Sequence, residues 1–104
     1  MSSYSGVPII HKVEGKISGS GEFKGEGFSV KYVSTGVYIV EFEHPFFYQP
    51  PEIKMTISDQ VQGATTKIIS RNLNSFKYFT IQMEPTKMYL KDFDVNFSAE
   101  GMID

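Results

Sequence analysis

The sequence contains no cysteine, only two leucines and only two alanines. Without cysteine the chain can form neither a disulfide framework nor a thiolate metal site, and it has no cysteine nucleophile. The shortage of leucine and alanine removes two of the residues that helices favour most. Nine phenylalanines and six tyrosines supply the apolar volume instead, and aromatic residues fit half-buried strands. The composition therefore predicts β-structure.

Charge and hydropathy exclude two further classes of partner. Basic residues are spaced singly along the chain, and the formal net charge is −2, so we expect no nucleic-acid binding. No apolar run approaches the length of a membrane helix, and we expect no membrane insertion. The segment from Met1 to Gly6 has neither the basic nor the apolar region of a signal peptide. We expect a soluble protein, while the absence of cysteine leaves its compartment open.

The length of 104 residues predicts a single domain over residues 1–104, with residues 1–6 as a flexible segment. Alternation of apolar and polar residues, bounded by turn-forming residues, predicts a small antiparallel β-sandwich of about six to seven strands. The predicted strands cover residues 7–13, 27–33, 37–43, 52–58, 65–70, 75–83 and 90–101. Between them we predict a glycine-rich loop at 15–27 that holds a short twisted strand, a crossover at 44–51, and a loop at 84–89 that begins at Pro85.

Two strand regions are the most regular. The turn Ser34-Thr35-Gly36 suits a hairpin with a left-handed residue at Gly36. In the last predicted strand, Phe93, Val95, Phe97 and Ala99 alternate with a polar set that faces solvent. That polar set is Asp92, Asp94, Asn96, Ser98 and Glu100.

The polar residues do not predict an enzyme, a metal site or a cofactor. Only His11 and His44 are available as imidazoles, and neither has the spacing of a zinc ligand set. Asp92, Asp94 and Asn96 are spaced like the start of a calcium loop, but Phe97 stands where that loop requires glycine. We therefore expect a non-enzymatic protein without a cofactor, and a local structural role for the histidines.

Aromatic residues in loops are more informative about ligands. We predict that Phe46 and Phe47 close one end of the sandwich, whereas Tyr48 is equally suited to packing and to ligand contact. Apolar residues also occur on both faces of some strands, which is typical of a subunit interface in a small domain. The candidate interface residues are Val37, Ile39, Ile69, Phe79 and Ile81.

The segment from Gly27 to Phe42, the following Pro45-Phe46, and the closing segment from Asp92 to Gly101 together resemble a known family. The chain is similar to H-type lectins and to the C-terminal β-sandwich domains of phage tail fibres. The resemblance implies a homotrimer that binds carbohydrate or a host surface through its loops. The candidate ligand-binding residues are Tyr48, Tyr89, His44, Asp92 and Asp94. The alternative is a structural module of a virion or secreted complex that holds chains together and binds no small ligand.

Overall fold

The computed structural model describes residues 9–103, and within this range the chain forms nine β-strands and no helix that could cross a membrane. The strands are β1 (Ile9–Ile17), β2 (Phe23–Gly25), β3 (Phe28–Ser34), β4 (Val37–Phe42), β5 (Glu52–Ile57), β6 (Ala64–Arg71), β7 (Ser75–Glu84), β8 (Lys87–Leu90) and β9 (Val95–Ile103). The predicted all-β class is confirmed. The predicted flexible segment 1–6, and residues 7 and 8 of the predicted first strand, lie outside the described residues.

The strands form two antiparallel sheets. One sheet has the order β2-β1-β9-β5, and the other has the order β3-β4-β7-β6, with β8 also paired to β7. Strands β4 and β8 occupy successive stretches of the same edge of β7, and Thr80 lies at the junction between them. The Thr80 N–H donates to the Gly36 carbonyl (2.9 Å), and the Lys91 N–H donates to the Thr80 carbonyl (3.2 Å). These bonds keep the edge of β7 paired where its partner strand changes.

The core between the sheets is built largely from aromatic rings. Phe97 of β9 meets Phe28 edge-on at 4.8 Å between ring centroids, and it meets Phe76 at 5.7 Å. On β9 the predicted alternation is confirmed for Val95, Phe97 and Ala99, which are all buried. Aromatic pairs in offset or edge-to-face geometry contribute about 0.5–1.5 kcal/mol beyond the area that they bury. The core therefore depends on ring geometry as well as on apolar area.

The glycine-rich segment is more regular than the sequence suggested. The predicted short strand is present as β2, but β1 also runs on to Ile17 and includes Gly15. A Cβ atom at Gly15 would overlap the Phe28 ring, so only glycine lets that ring lie against the β1 backbone. The loop prediction was wrong for residues 15–17, because this glycine makes room for packing and does not interrupt the strand.

The predicted loop at 84–89 is also wrong, because residues 87–90 form β8. Glu84 pairs with Lys87, so Pro85 and Thr86 are the two central residues of a tight hairpin. Proline is tolerated there because its fixed φ suits a turn and no ladder bond is required from its nitrogen. The last strand consequently begins at Val95, whereas the sequence predicted a start at Leu90.

The β3–β4 hairpin largely confirms its prediction. Gly36 has a φ of 70°, in the left-handed region, as the turn requires. The loop is shorter than predicted, since Ser34 already pairs with Val37, and a bulge between Tyr32 and Ser34 absorbs the extra residue.

Two stacked tyrosines in the core give a direct test of this packing. The Tyr38 and Tyr78 rings stack at 4.8 Å, and burial raises the pKa of both phenols. The Tyr38 hydroxyl lies 2.8 Å from the Gly19 carbonyl, whereas the buried Tyr78 hydroxyl has no partner among the described residues. We predict that Tyr38→Phe lowers the free energy of unfolding by about 1–2 kcal/mol, while Tyr78→Phe leaves it unchanged or raises it. Urea denaturation measures both variants, and equal losses would contradict the assignment.

Candidate functional site

The crossover loop between β4 and β5 carries the chain from one sheet to the other. Its prolines leave it without strand structure, as predicted. Phe46 is 2% exposed, and its N–H donates to the Leu73 carbonyl at 2.7 Å, so this residue closes the end of the sandwich as predicted. Phe47 does not do so, because it is 38% exposed. One buried ring thus anchors a loop whose next residues project outward.

Tyr48 is the most exposed aromatic residue in the described part of the chain, at 80%. Its φ is 77°, and the Gln49 N–H donates to the Phe47 carbonyl at 2.9 Å, which closes a γ-turn centred on Tyr48. A γ-turn with positive central φ is the rarer and more strained of the two forms. The exposure excludes the packing alternative, and an L-residue held in this conformation costs on the order of 1–3 kcal/mol.

The two sides of this turn are held by the core. The Phe47 N–H donates to the Met102 carbonyl of β9 at 2.6 Å, and on the other side Pro51 is fully buried. The side chain of Arg71 lies beneath, where Nη1 donates to the Pro51 carbonyl at 3.2 Å. The backbone of Tyr48 is therefore held in place, since both flanks of the loop are anchored, and its ring projects into solvent.

An open cleft of about 720 Å³ adjoins the loop. Its lining includes Gln49, Pro50, Glu52, Arg71, Glu100 and Met102. Glu52 and Glu100 are direct cross-strand partners on β5 and β9. Two carboxylates, one guanidinium and one amide provide acceptors and donors suited to a ligand rich in hydroxyl groups. Sequence reasoning missed Glu52 and Glu100, because only the register of β5 and β9 brings them together. It also missed Arg71, which reaches the cleft from β6 of the other sheet.

The five predicted ligand residues do not form a single site. Tyr48 and the exposed His44 lie at the crossover end, whereas Asp92, Asp94 and Tyr89 lie toward the opposite end of the strands. The Tyr89 hydroxyl donates to Glu84 Oε2 at 2.7 Å, and this bond raises the pKa of the phenol. Tyr89 is thus engaged within its own hairpin.

Asp92 was expected on the solvated face of the last strand, but it precedes β9, which begins at Val95. Its carboxylate contacts β3, the β3–β4 turn and β4. Oδ1 accepts the Gly36 N–H (2.7 Å) and lies 3.1 Å from the Tyr38 hydroxyl, while Oδ2 accepts the Tyr32 hydroxyl (2.8 Å). Burial alone would raise the pKa of this carboxyl, but the bonds from Gly36, Tyr32 and Tyr38 outweigh it and hold the pKa below its usual value. Asp92 is therefore a structural clamp, and its oxygens are already occupied.

Asp94 was also expected on that face, and it too precedes β9. Its Oδ1 accepts the Gly19 N–H at 2.7 Å, which fixes the loop between β1 and β2. No group of three or more histidine, aspartate or glutamate side chains in the range 9–103 is arranged to hold a metal ion. The carboxylates of Asp92 and Asp94 thus bind backbone and phenol donors of the protein itself.

The outer face of the five-stranded sheet carries a row of apolar side chains next to the outward-facing Lys31, Lys67 and Lys77. On the five-stranded sheet, Val37 pairs with Phe79, and Ile81 pairs with Leu90, which puts apolar side chains side by side on the outward face. Of the five predicted interface residues, Ile39, Phe79 and Ile81 are half-buried, Val37 is buried, and Ile69 is exposed at a β-bulge. The four-stranded sheet instead presents charged and polar side chains. These include Lys12, Glu14, Lys16, Lys54, Ser98 and Glu100.

No family model, curated protein or solved structure matches this chain. The resemblance to H-type lectins and tail-fibre domains therefore stays a prediction. The physical properties of the crossover end and of the apolar outer face are the basis for assigning a function.

The strain at Tyr48 can be measured without a ligand. At an ordinary exposed position alanine is favoured over glycine, because glycine loses more conformational freedom on folding. At position 48 we predict the reverse order, with Tyr48→Gly more stable than Tyr48→Ala by about 1 kcal/mol, because glycine adopts a positive φ freely. Urea denaturation of the two variants gives this difference. The same pair of substitutions at exposed Thr56 in β5 is the control, and alanine should be favoured there.

Proposed function

We propose that this protein is a non-enzymatic recognition module that binds carbohydrate on a glycan or host surface through its crossover loop. The observation that carries the proposal is the exposed Tyr48 ring on a strained and firmly anchored γ-turn. Strained backbone persists only where the surrounding structure maintains it, and it concentrates at binding and catalytic sites. A rigid aromatic ring also contributes contact area at a small cost in conformational entropy.

The neighbouring groups suit a saccharide. One face of many sugar rings is apolar and stacks on an aromatic ring, while the hydroxyl groups at the rim require donors and acceptors. Arg71 can donate to them, and Glu52 and Glu100 can accept from them, within the cleft of about 720 Å³ beside the loop. That volume is within the usual range for small-molecule sites, although the cleft is shallow, which favours weak and multivalent binding.

A glycan array followed by NMR titration with the best saccharide tests this proposal. We expect the amide signals of the crossover loop and of Arg71 to shift on binding, and Tyr48→Ala to weaken binding about tenfold through loss of ring stacking. The control is Tyr89→Ala, which removes a partly exposed tyrosine at the opposite end and should leave the affinity unchanged. No binding across the array, or equal losses for both variants, would overturn the proposal.

A second candidate function, a module that assembles chains, is favoured by the apolar outer face of the five-stranded sheet. Met83 and Met88 are directly paired across β7 and β8, and they are 52% and 69% exposed. They continue the row formed by the half-buried Phe79 and Ile81. Contiguous apolar surface is uncommon on a small monomer and usually marks an interface. The expected assembly is a homotrimer in which copies of this face pack together.

Sedimentation analysis of the purified chain tests assembly separately from sugar binding. We expect a mass of three chains, and we expect the double variant Met83→Lys, Met88→Lys to dissociate, because both side chains are exposed and the charges would be buried at the interface. The control is Thr56→Lys, which adds charge to the outer face of the other sheet and should leave the trimer intact. A wild-type monomer at high concentration would contradict the interface.

A further inference from the structure

A second cleft, of about 490 Å³, lies at the end of the four-stranded sheet opposite the crossover loop. Its polar lining includes Lys16, Glu22, Lys24, Asp59, Asp94 and Asn96. The cations come from the paired strands β1 and β2. The carboxylates come from the loops at the ends of the strands: one in the turn between β1 and β2, one after β5 and one before β9. Two lysines and three carboxylates thus line one small concavity.

Neither lysine forms an ion pair with a residue in the described range. Lys16 and Lys24 are direct cross-strand partners, and like charges in that position repel each other. The ion pairs among the described residues are made by other lysines, namely Lys12, Lys31, Lys54 and Lys87. An anionic group placed between the two ammonium groups would relieve this repulsion.

The far side of the cleft offers a free acceptor to a donor. Asn96 lies between Lys16 of β1 and Thr56 of β5, and its Oδ1 is buried with no partner among the described residues. That oxygen is sealed from solvent, so a ligand in the cleft does not reach it. Asp94 uses Oδ1 to hold Gly19, and no hydrogen bond to its Oδ2 occurs in the described range. An ammonium or hydroxyl group would satisfy this Oδ2 of Asp94.

The rim of the cleft is already ordered. The Ser58 N–H donates to the Asp94 carbonyl at 2.8 Å, and the Ser18 N–H donates to the Glu22 carbonyl at 2.7 Å. Together with the bond from the Gly19 N–H to Asp94, these contacts fix the loops that carry the carboxylates. A ligand would therefore lose little affinity to ordering of the protein.

We propose that this cleft binds a small zwitterion, with its anionic group between Lys16 and Lys24 and its ammonium group against Asp94 and Asp59. A simple anion is repelled by the carboxylates, and a simple cation is repelled by the lysines. Only a ligand that carries both charges gains from both sides. This site shares no lining residue with the cleft at the crossover end, so a negative result for saccharide binding would leave the zwitterion proposal unaffected.

Amide NMR titration with three zwitterions of increasing length, glycine, 4-aminobutyrate and 6-aminohexanoate, tests the site and measures the span between its charges. Butyrate and butylamine are the controls that each carry one charge of 4-aminobutyrate. We expect saturable shifts near Lys16, Ser58 and Asn96, with the best zwitterion binding at least about tenfold more tightly than either control. Equal binding of butyrate, or no saturable shift with any of the three zwitterions, would overturn the proposal.

Variants locate the effect within the cleft. Lys24→Glu and Asp94→Asn should each weaken the best zwitterion about tenfold. Asn retains an acceptor for the Gly19 N–H, so the second variant removes the charge without removing the loop contact. The control is Lys54→Glu, on the outer face of the same sheet but outside the cleft, which should bind as the unmodified protein does. If Lys54→Glu weakened zwitterion binding to the same degree, the affinity would depend only on the net charge of the protein, and the proposed site would be rejected.

Discussion

The two sheets of this protein are held together by aromatic rings that meet at Phe97. Its ring contacts Phe28 and Phe76 of the opposite sheet, so one side chain joins β9 to both the edge strand β3 and the central strand β7. This contact requires Gly15, because any side chain on β1 at that position would displace the Phe28 ring. A domain with only two leucines reaches a close-packed core in this way, since a few large rings replace many small aliphatic contacts.

The same constraint shapes both ends of the sandwich. At one end the crossover loop must span the thickness of the ring layer, and Phe46 enters the core to anchor it, which leaves Tyr48 outside in a strained turn. At the other end, Asp92 links neighbouring segments by accepting hydrogen bonds from the Tyr32 hydroxyl and the Gly36 N–H. The two ends therefore differ in kind. The crossover end exposes an aromatic ring. At the other end, the carboxylates of Asp92 and Asp94 form hydrogen bonds within the protein that stabilise the fold.

Features that depend on neighbouring residues in the sequence were predicted correctly, whereas features that depend on contacts between distant residues were not. The alternation in β9 and the left-handed Gly36 follow from local patterns, and both were confirmed. Strand β8 was missed because Pro85 marks a turn equally well in a loop and in a hairpin. Asp92 and Tyr48 were identified as notable residues, but the sequence could not distinguish a clamp from a ligand contact. That distinction is set by donors up to 60 positions away in the chain. The cross-strand pairs that line both clefts could not be predicted for the same reason, because alternation assigns a side chain to a face but does not show which strands are neighbours.

The contrast between the outer faces relates the proposed activities to one another. A charged outer face on the four-stranded sheet can remain in water, whereas the apolar row on the five-stranded sheet gains free energy if it is covered. Both clefts are lined mainly by the four-stranded sheet and its adjoining loops, and Arg71 reaches the crossover cleft from the end of β6. Both therefore lie away from the apolar row on β7 and β8, and packing of that row against another subunit leaves them open. Assembly about an axis parallel to the strands would bring the Tyr48 loops of all subunits to one end. Weak contacts at a shallow cleft then act together, and multivalency can supply the affinity that one exposed ring cannot.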